Sequence, residues 1–163
     1  MRYMQAQSSP TPAAQQKNAA ILLIDDDEDI LSIFKNSLKA AGYSTYGFIN
    51  PIAAFEHFRQ NPKAYQIIIT DVRMPRMSGF ELVRKIRRIN PDVKIIMTSS
   101  FEMSMNEAKR VLPSLKIDGV VDKPVGLAKL NDMVKNLLES SKWMQKVGVS
   151  NGAPSSFTCL PHF

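Results

Sequence analysis

Apolar and polar positions follow two alternating rhythms along this chain. Ala20–Ile24 is a continuous apolar run, the pattern of a strand buried on both faces of a sheet. Ile30, Leu31, Phe34 and Leu38 then recur at helical spacing, and Gly42 supplies the stop. Ser44–Phe48 reads as a short second strand. Asn50-Pro51 is a helix start, with Asn as N-cap and Pro in first position, and Ile52, Phe55 and Phe58 form the expected apolar face. Gln66–Thr70 is a third strand, and Gly79–Arg88 a third helix buried through Phe80, Val83 and Ile86. Val93–Thr98 is a fourth strand. Glu102–Leu112 is a fourth helical segment with a weak apolar face, ended by Pro113, and Gly119–Val121 is a short fifth strand. Leu127, Leu130, Val134, Leu137 and Leu138 mark a fifth helix. Such alternation implies right-handed crossovers and an α/β domain whose parallel sheet is covered on both faces.

The flanks lack this rhythm. Residues 1–18 are rich in Gln, Ser, Ala and Pro, and read as a disordered leader. Residues 19–140 form the expected domain. Residues 141–163, with Trp143 and scattered apolar side chains, read as a tail, partly disordered or with a short helix. No apolar run is long enough to span a membrane, and the N-terminus does not read as a secretory signal. The single Cys159 cannot form an internal disulfide, which fits a reducing cytoplasm.

In an open parallel sheet, ligands sit beyond the carboxyl ends of the strands. Asp25-Asp26 end the first strand, Asp71 the third and Thr98-Ser99 the fourth, and Lys123-Pro124 follow the fifth. Three carboxylates gathered at one edge need a cation, and oxygen ligands suit a hard one such as Mg²⁺. An ammonium and a hydroxyl beside them suit phosphoryl oxygens, and an Asp carboxylate can act as the nucleophile that forms an aspartyl phosphate. These residue types therefore suit metal-assisted phosphoryl transfer onto a carboxylate.

Two other readings of the acidic run fail on its own residues. Asp25-Asp26-Asp27-Glu28-Asp29 resembles the opening of a calcium loop, but Ile30 stands where Gly is required and Asn36 where Glu is required. A haloacid dehalogenase-type phosphatase would want Thr or Val in place of Asp29, and would leave Asp71-x-x-Met-Pro unexplained. Asp27, Glu28 and Asp29 instead suit the first turn of a helix, where the dipole favours acids.

Four segments, in order and at compatible spacing, carry a family resemblance: Ile-Leu-Leu-Ile-Asp25-Asp26, Asp71-Val-Arg-Met-Pro75-Arg-Met-Ser-Gly79, Ile-Met-Thr98-Ser99-Ser100 and Asp122-Lys123-Pro124. Over residues 20–139 the chain resembles the receiver domain of two-component response regulators. The resemblance implies a flavodoxin-like fold with a doubly wound five-stranded sheet in order 2-1-3-4-5 and five helices. It implies Asp71 as phosphoacceptor, with Mg²⁺ (or Mn²⁺) held by Asp26, Asp71 and the Arg73 carbonyl directly and by Asp25 through a water. Lys123 would contact the phosphoryl group, and the bond to Pro124 would be cis. Ungapped matching from Pro91-Asp92 puts Ser99 at the family's hydroxyl position, with Thr98 as the alternative; strand alternation sends the two side chains to opposite sides.

The resemblance further implies a signalling switch rather than an enzyme, with self-catalysed phosphorylation and dephosphorylation. Its partners would be a histidine kinase or phosphotransfer protein and a downstream protein docking on the face of the fourth helix, fifth strand and fifth helix, where Lys109-Arg110 lie. The switch would be a monomer or a phosphorylation-dependent dimer. With no output domain expected beyond residue 140, the chain reads as a stand-alone regulator; the alternative is a receiver-fold interaction module that works without phosphate. Val120 departs from the pattern, since the family commonly has Tyr or Phe there as a rotamer switch. Arg73 and Phe101 occupy places that flank the attacking water's path. His57 reads as a solvated helix residue, and Lys85, Arg87 and Arg88 as a solvated helix face.

Charge is compatible with this picture. The net charge is +6, but the two flanks hold Arg2, Lys17, Lys142 and Lys146 and no acid, leaving +2 for residues 19–140. Direct nucleic-acid binding through a basic globular face is not expected.

Overall fold

A computed structural model describes residues 19–100 and 115–147, with the backbone alone for 142–147. Five parallel strands, β1 (Ala20–Ile24), β2 (Ser44–Phe48), β3 (Ile67–Asp71), β4 (Lys94–Ser99) and β5 (Gly119–Asp122), form one sheet in the expected order β2-β1-β3-β4-β5. Four helices lie among the described residues: α1 (Glu28–Ala40), α2 (Pro51–Gln60), α3 (Gly79–Ile89) and α4 (Leu127–Val147). The helical segment expected at 102–112, with Phe101 and Lys109-Arg110, lies outside the described residues. The last helix runs seven residues past the expected domain end at residue 140.

Strand alternation sorts the core into two layers. Ile21 and Leu23 of β1, Ile67 and Ile69 of β3, Ile96 and Val121 pack with Leu31, Phe34 and Leu38 of α1 and with Leu130, Val134 and Leu138 of α4. Leu22, Ile24, Ile68, Ile95 and Met97 face the other way, against Ala54 and Phe58 of α2 and Leu82, Val83 and Ile86 of α3. The face of α2 differs from expectation. Pro51, Ala54 and Phe58 are its buried residues, and Ile52 is 42% exposed. Phe55 is only partly buried, and the Lys85 ammonium sits 5.4 Å from the centre of its ring.

Helix ends follow their caps. The Asp27 side chain accepts hydrogen bonds from the N–H groups of Asp29 and Ile30 at the start of α1. The helix closes with Gly42 N–H donating to Lys39 O and Tyr43 N–H to Leu38 O, and Gly42 takes a φ of 94° that suits a residue without Cβ. Ser78 and Glu81 form a reciprocal capping box at the start of α3, an S-x-x-E signal visible in the sequence.

The β3–α3 loop holds one strained residue. Exposed Arg76 has a φ of 70°, a conformation that costs a residue with a Cβ on the order of 1 kcal/mol. Arg76→Gly is expected to raise stability by no more than about 0.5 kcal/mol in urea unfolding, because the added unfolded-chain entropy offsets most of the relieved strain.

Candidate functional site

The carboxyl ends of β1 and β3 deliver three acids to one place. Carboxylate oxygens of Asp25, Asp26 and Asp71 lie within 4.8 Å of one another; Asp25 and Asp71 are buried and Asp26 is exposed. At that spacing each pair of charges repels by about 3–4 kcal/mol at an effective dielectric near 20. Lys123, just beyond β5, answers part of this charge. Its Nζ donates to Asp25 Oδ2 at 2.9 Å and lies 3.2 Å from Asp71 Oδ1. Three carboxylates against one ammonium still leave two negative charges at the corner.

Hydrogen bonding separates the three acids. Asp25 Oδ1 accepts the Asp27 N–H at 3.0 Å, so both Asp25 oxygens are engaged. Asp71 is 4% exposed, and its Oδ1 is buried without an aligned hydrogen bond despite the nearby ammonium. Two uncompensated charges and a buried Asp71 oxygen with no aligned hydrogen bond fit a divalent cation with oxygen ligands.

Burial raises the Asp25 carboxyl above its ordinary 3.8, outweighing the hydrogen bonds from Lys123 and Asp27 that oppose the shift. Burial works against the Lys123 ammonium too, but the hydrogen bond and charge of Asp25, with the charge of Asp71, raise its pKa above 10.5 on balance. The lysine therefore favours folding at any pH below 10.5, and that contribution is lost as pH rises through its folded value. Urea midpoints measured from about pH 9.5 to about pH 11.5 should fall, and less steeply in Lys123→Met. Equal slopes in the two proteins would remove the lysine from the account.

The hydroxyls at the end of β4 divide by strand parity. Thr98 is in register with Asp71 and shares its parity, on the α1–α4 side. Thr98 is 1% exposed and its Oγ1 has no hydrogen-bond partner. Ser99, 2% exposed, falls on the opposite parity with Met97 and the half-buried Val120, and its carbonyl accepts the Lys123 N–H at 2.7 Å. The structure thus brings Asp25, Asp26, Asp71 and Lys123 together, and sets Thr98 beside Asp71 in the sheet. Arg73 is exposed two residues past Asp71, and the Lys123–Pro124 bond is cis, as expected.

The structural roles of two residues, one at this corner and one at the far end of the sheet, escaped the sequence reading. Gly79 begins α3 directly under the end of β3, where a Cβ would come 2.1 Å from the Asp71 carbonyl oxygen; its N–H donates to Val72 O at 2.9 Å. Arg87 is no solvated residue. Its guanidinium donates to the carbonyls of Lys116, Pro91 and Val93 and to Asp118, whose other oxygen pairs with Lys94 Nζ at 3.1 Å. This knot ties α3 to the segments entering β4 and β5 at the far end of the sheet. His57 is likewise held, with Nε2 2.5 Å from the Tyr65 hydroxyl.

Comparison with known proteins agrees with this geometry. The family model for the response regulator receiver domain matches residues 21–135. The chain is 32% identical over 119 residues to the response regulator receiver protein CpdR of Brucella abortus, covering 72% of this chain and 95% of that protein. It is 28% identical to the sensor kinase CckA of the same organism, over 82% of this chain but only 15% of the kinase. A response regulator receiver domain protein from Clostridium thermocellum superposes with a TM-score of 0.69 at 25% identity, over 77% of this chain and 98% of that one. A receiver protein from Pseudomonas putida does so with a TM-score of 0.64 at 28% identity, over 73% of this chain and 97% of that one. Sheet order, acidic corner and family match converge: the chain belongs to the response regulator receiver domains of two-component signalling.

Proposed function

We propose that this protein is a single-domain response regulator that accepts a phosphoryl group on Asp71 from a histidine kinase or phosphotransfer protein and thereby switches its binding to a protein partner. The observation that carries the reading is the buried Asp71 Oδ1, ion-paired with Lys123 within a cluster of three carboxylates. Asp26, Asp71 and the Arg73 carbonyl would hold Mg²⁺ (or Mn²⁺), with Asp25 acting through a water. When bound, the metal would neutralise charge on the transferring group and on the acids.

This chain's own residues do the rest. An Asp71 carboxylate oxygen attacks phosphorus in line, the bond to the donor breaks, and the donor leaves with its electron pair. Lys123 stays protonated and neutralises a phosphoryl oxygen from its place between Asp25 and Asp71. Ser99 is the hydroxyl taken here to meet the phosphoryl group, and Thr98, with its unpaired Oγ1 in register with Asp71, is the alternative. Phosphorylation takes the Asp71 side chain from −1 to about −2 and shifts a two-state equilibrium by its differential interaction with the two states. The domain at 19–140 fits cytoplasmic signalling, no helix among the described residues is long and apolar enough to cross a membrane, and 95% coverage of CpdR supports a stand-alone receiver. Output through β5, α4 and the neighbouring segment at 102–112, which lies outside the described residues, without direct nucleic-acid contact and with a monomer or phosphorylation-dependent dimer as the acting form, completes the proposal.

A phosphate-affinity gel with acetyl phosphate tests it. A shifted band should require Mg²⁺ and disappear in Asp71→Asn. Ser99→Ala and Thr98→Val, run separately, should show which one changes band lifetime. An unshifted wild-type band, or a shift surviving Asp71→Asn, would favour the module that works without phosphate.

A further inference from the structure

Residues 73–88 hold six cations, Arg73, Arg76, Arg84, Lys85, Arg87 and Arg88, against the single acid Glu81. The fold assigns work to some of them. Arg87 is spent on the far-end knot, and Lys85 leans over Phe55. Arg76, Arg84 and Arg88 are exposed, and among the described residues none is within ion-pairing distance of a carboxylate. Glu81 faces Arg84 and Lys85 as a single acid, and one of its oxygens also accepts both the N–H and the hydroxyl of Ser78, so most of the positive charge is left unbalanced.

Two of these cations, Arg84 and Arg88, are ordered along α3. Phe80, Arg84 and Arg88 are spaced four residues apart, so they form one ridge. The ridge begins at an open groove of about 520 Å³ lined by Val72, Met74, Pro75 and half-buried Phe80, with Arg73 and Ser78 as its polar residues. An apolar recess therefore leads into a row of arginines on a helix about 16 Å long. Arginine's planar fork matches a carboxylate with two parallel hydrogen bonds, which a lysine cannot do. A recess that takes one apolar side chain suits a folded or folding peptide better than a membrane surface, and half-buried Phe80 gives nucleobases little to stack on.

We propose that the β3–α3 loop and the outer face of α3 bind an acidic segment of a partner protein, with an apolar anchor in the groove and carboxylates one and two helical turns further along. This surface is distinct from the output face proposed above and does not depend on Asp71 being phosphorylated.

The test uses the full chain and a fluorescein-labelled peptide of about sixteen residues with one Leu anchor and Glu at following helical positions, read by fluorescence anisotropy. Binding should weaken with salt and fall about tenfold or more in Arg84→Glu/Arg88→Glu. The neutral pair Arg84→Gln/Arg88→Gln, with folding checked by circular dichroism, should fall between the two. Amide shifts on titration should centre on residues 72–88. No binding, binding indifferent to both variant pairs, or shifts centred elsewhere would overturn the proposal. So would binding of a labelled single-stranded RNA or of phosphatidylserine vesicles at least as tight as that of the peptide and lost in the same variants.

Discussion

Gly79→Ala is expected to destabilise the protein by about 3 kcal/mol and to disable phosphorylation at Asp71. In a helix interior the same change usually stabilises by about 1 kcal/mol, because Ala is the better helix former. Here the sign reverses. The added Cβ would sit 2.1 Å from the Asp71 carbonyl oxygen and 3.1 Å from Met97 Cε. Met97 can move, but the carbonyl belongs to the last residue of β3, held in register with Thr98. Relief therefore requires α3 to retreat or the end of β3 to shift, and either change moves the Asp71 carboxylate relative to Lys123. Urea unfolding and the acetyl phosphate reaction should report both effects. A stable Gly79→Ala protein that is phosphorylated normally would show that the close approach has no consequence.

Arg87→Met should cost a similar amount, about 3 kcal/mol, without touching the phosphorylation chemistry. Methionine keeps much of the side-chain stem but removes every donor from the carbonyls of Lys116, Pro91 and Val93. Asp118 keeps Lys94 and the Ile95 N–H, so the stranded groups are chiefly the carbonyls rather than a naked charge. Arg84→Met on the same helix is the control; its side chain is exposed, and its effect should stay within about 0.5 kcal/mol. Equal effects at the two positions would reduce the Arg87 knot to a surface contact.

These two residues show where sequence reading stops. Asp25, Asp26, Asp71 and Lys123 were legible because a parallel sheet brings strand ends to one edge, so topology alone gathers them. Gly79 was legible as a family position, but its cause, a helix start pressed against a carbonyl, needs coordinates. Arg87 was not legible, since three of its partners are main-chain carbonyls and one lies 29 residues away. On α2, aromatic and aliphatic bulk favoured Ile52 and Phe55, yet the helix buries Pro51 and Ala54 with Phe58. Periodicity offers more than one face, and a small residue lets the helix sit close to the sheet. At the end of β4 the sequence put two hydroxyls side by side, and alternation separated them without saying which face Asp71 shares. Register supplied that answer for Thr98.

The central claim is that Asp71 is the carboxylate that takes the phosphoryl group, and its tryptic peptide makes a direct test. Cleavage after Lys63 and Arg73 releases residues 64–73, in which Asp71 is the only carboxylate side chain. After treatment of the full chain with acetyl phosphate and Mg²⁺, this peptide should carry one phosphoryl group that hydroxylamine removes and chelation of the metal prevents. A phosphoryl group found on another peptide, one that resists hydroxylamine, or none at all would contradict the account.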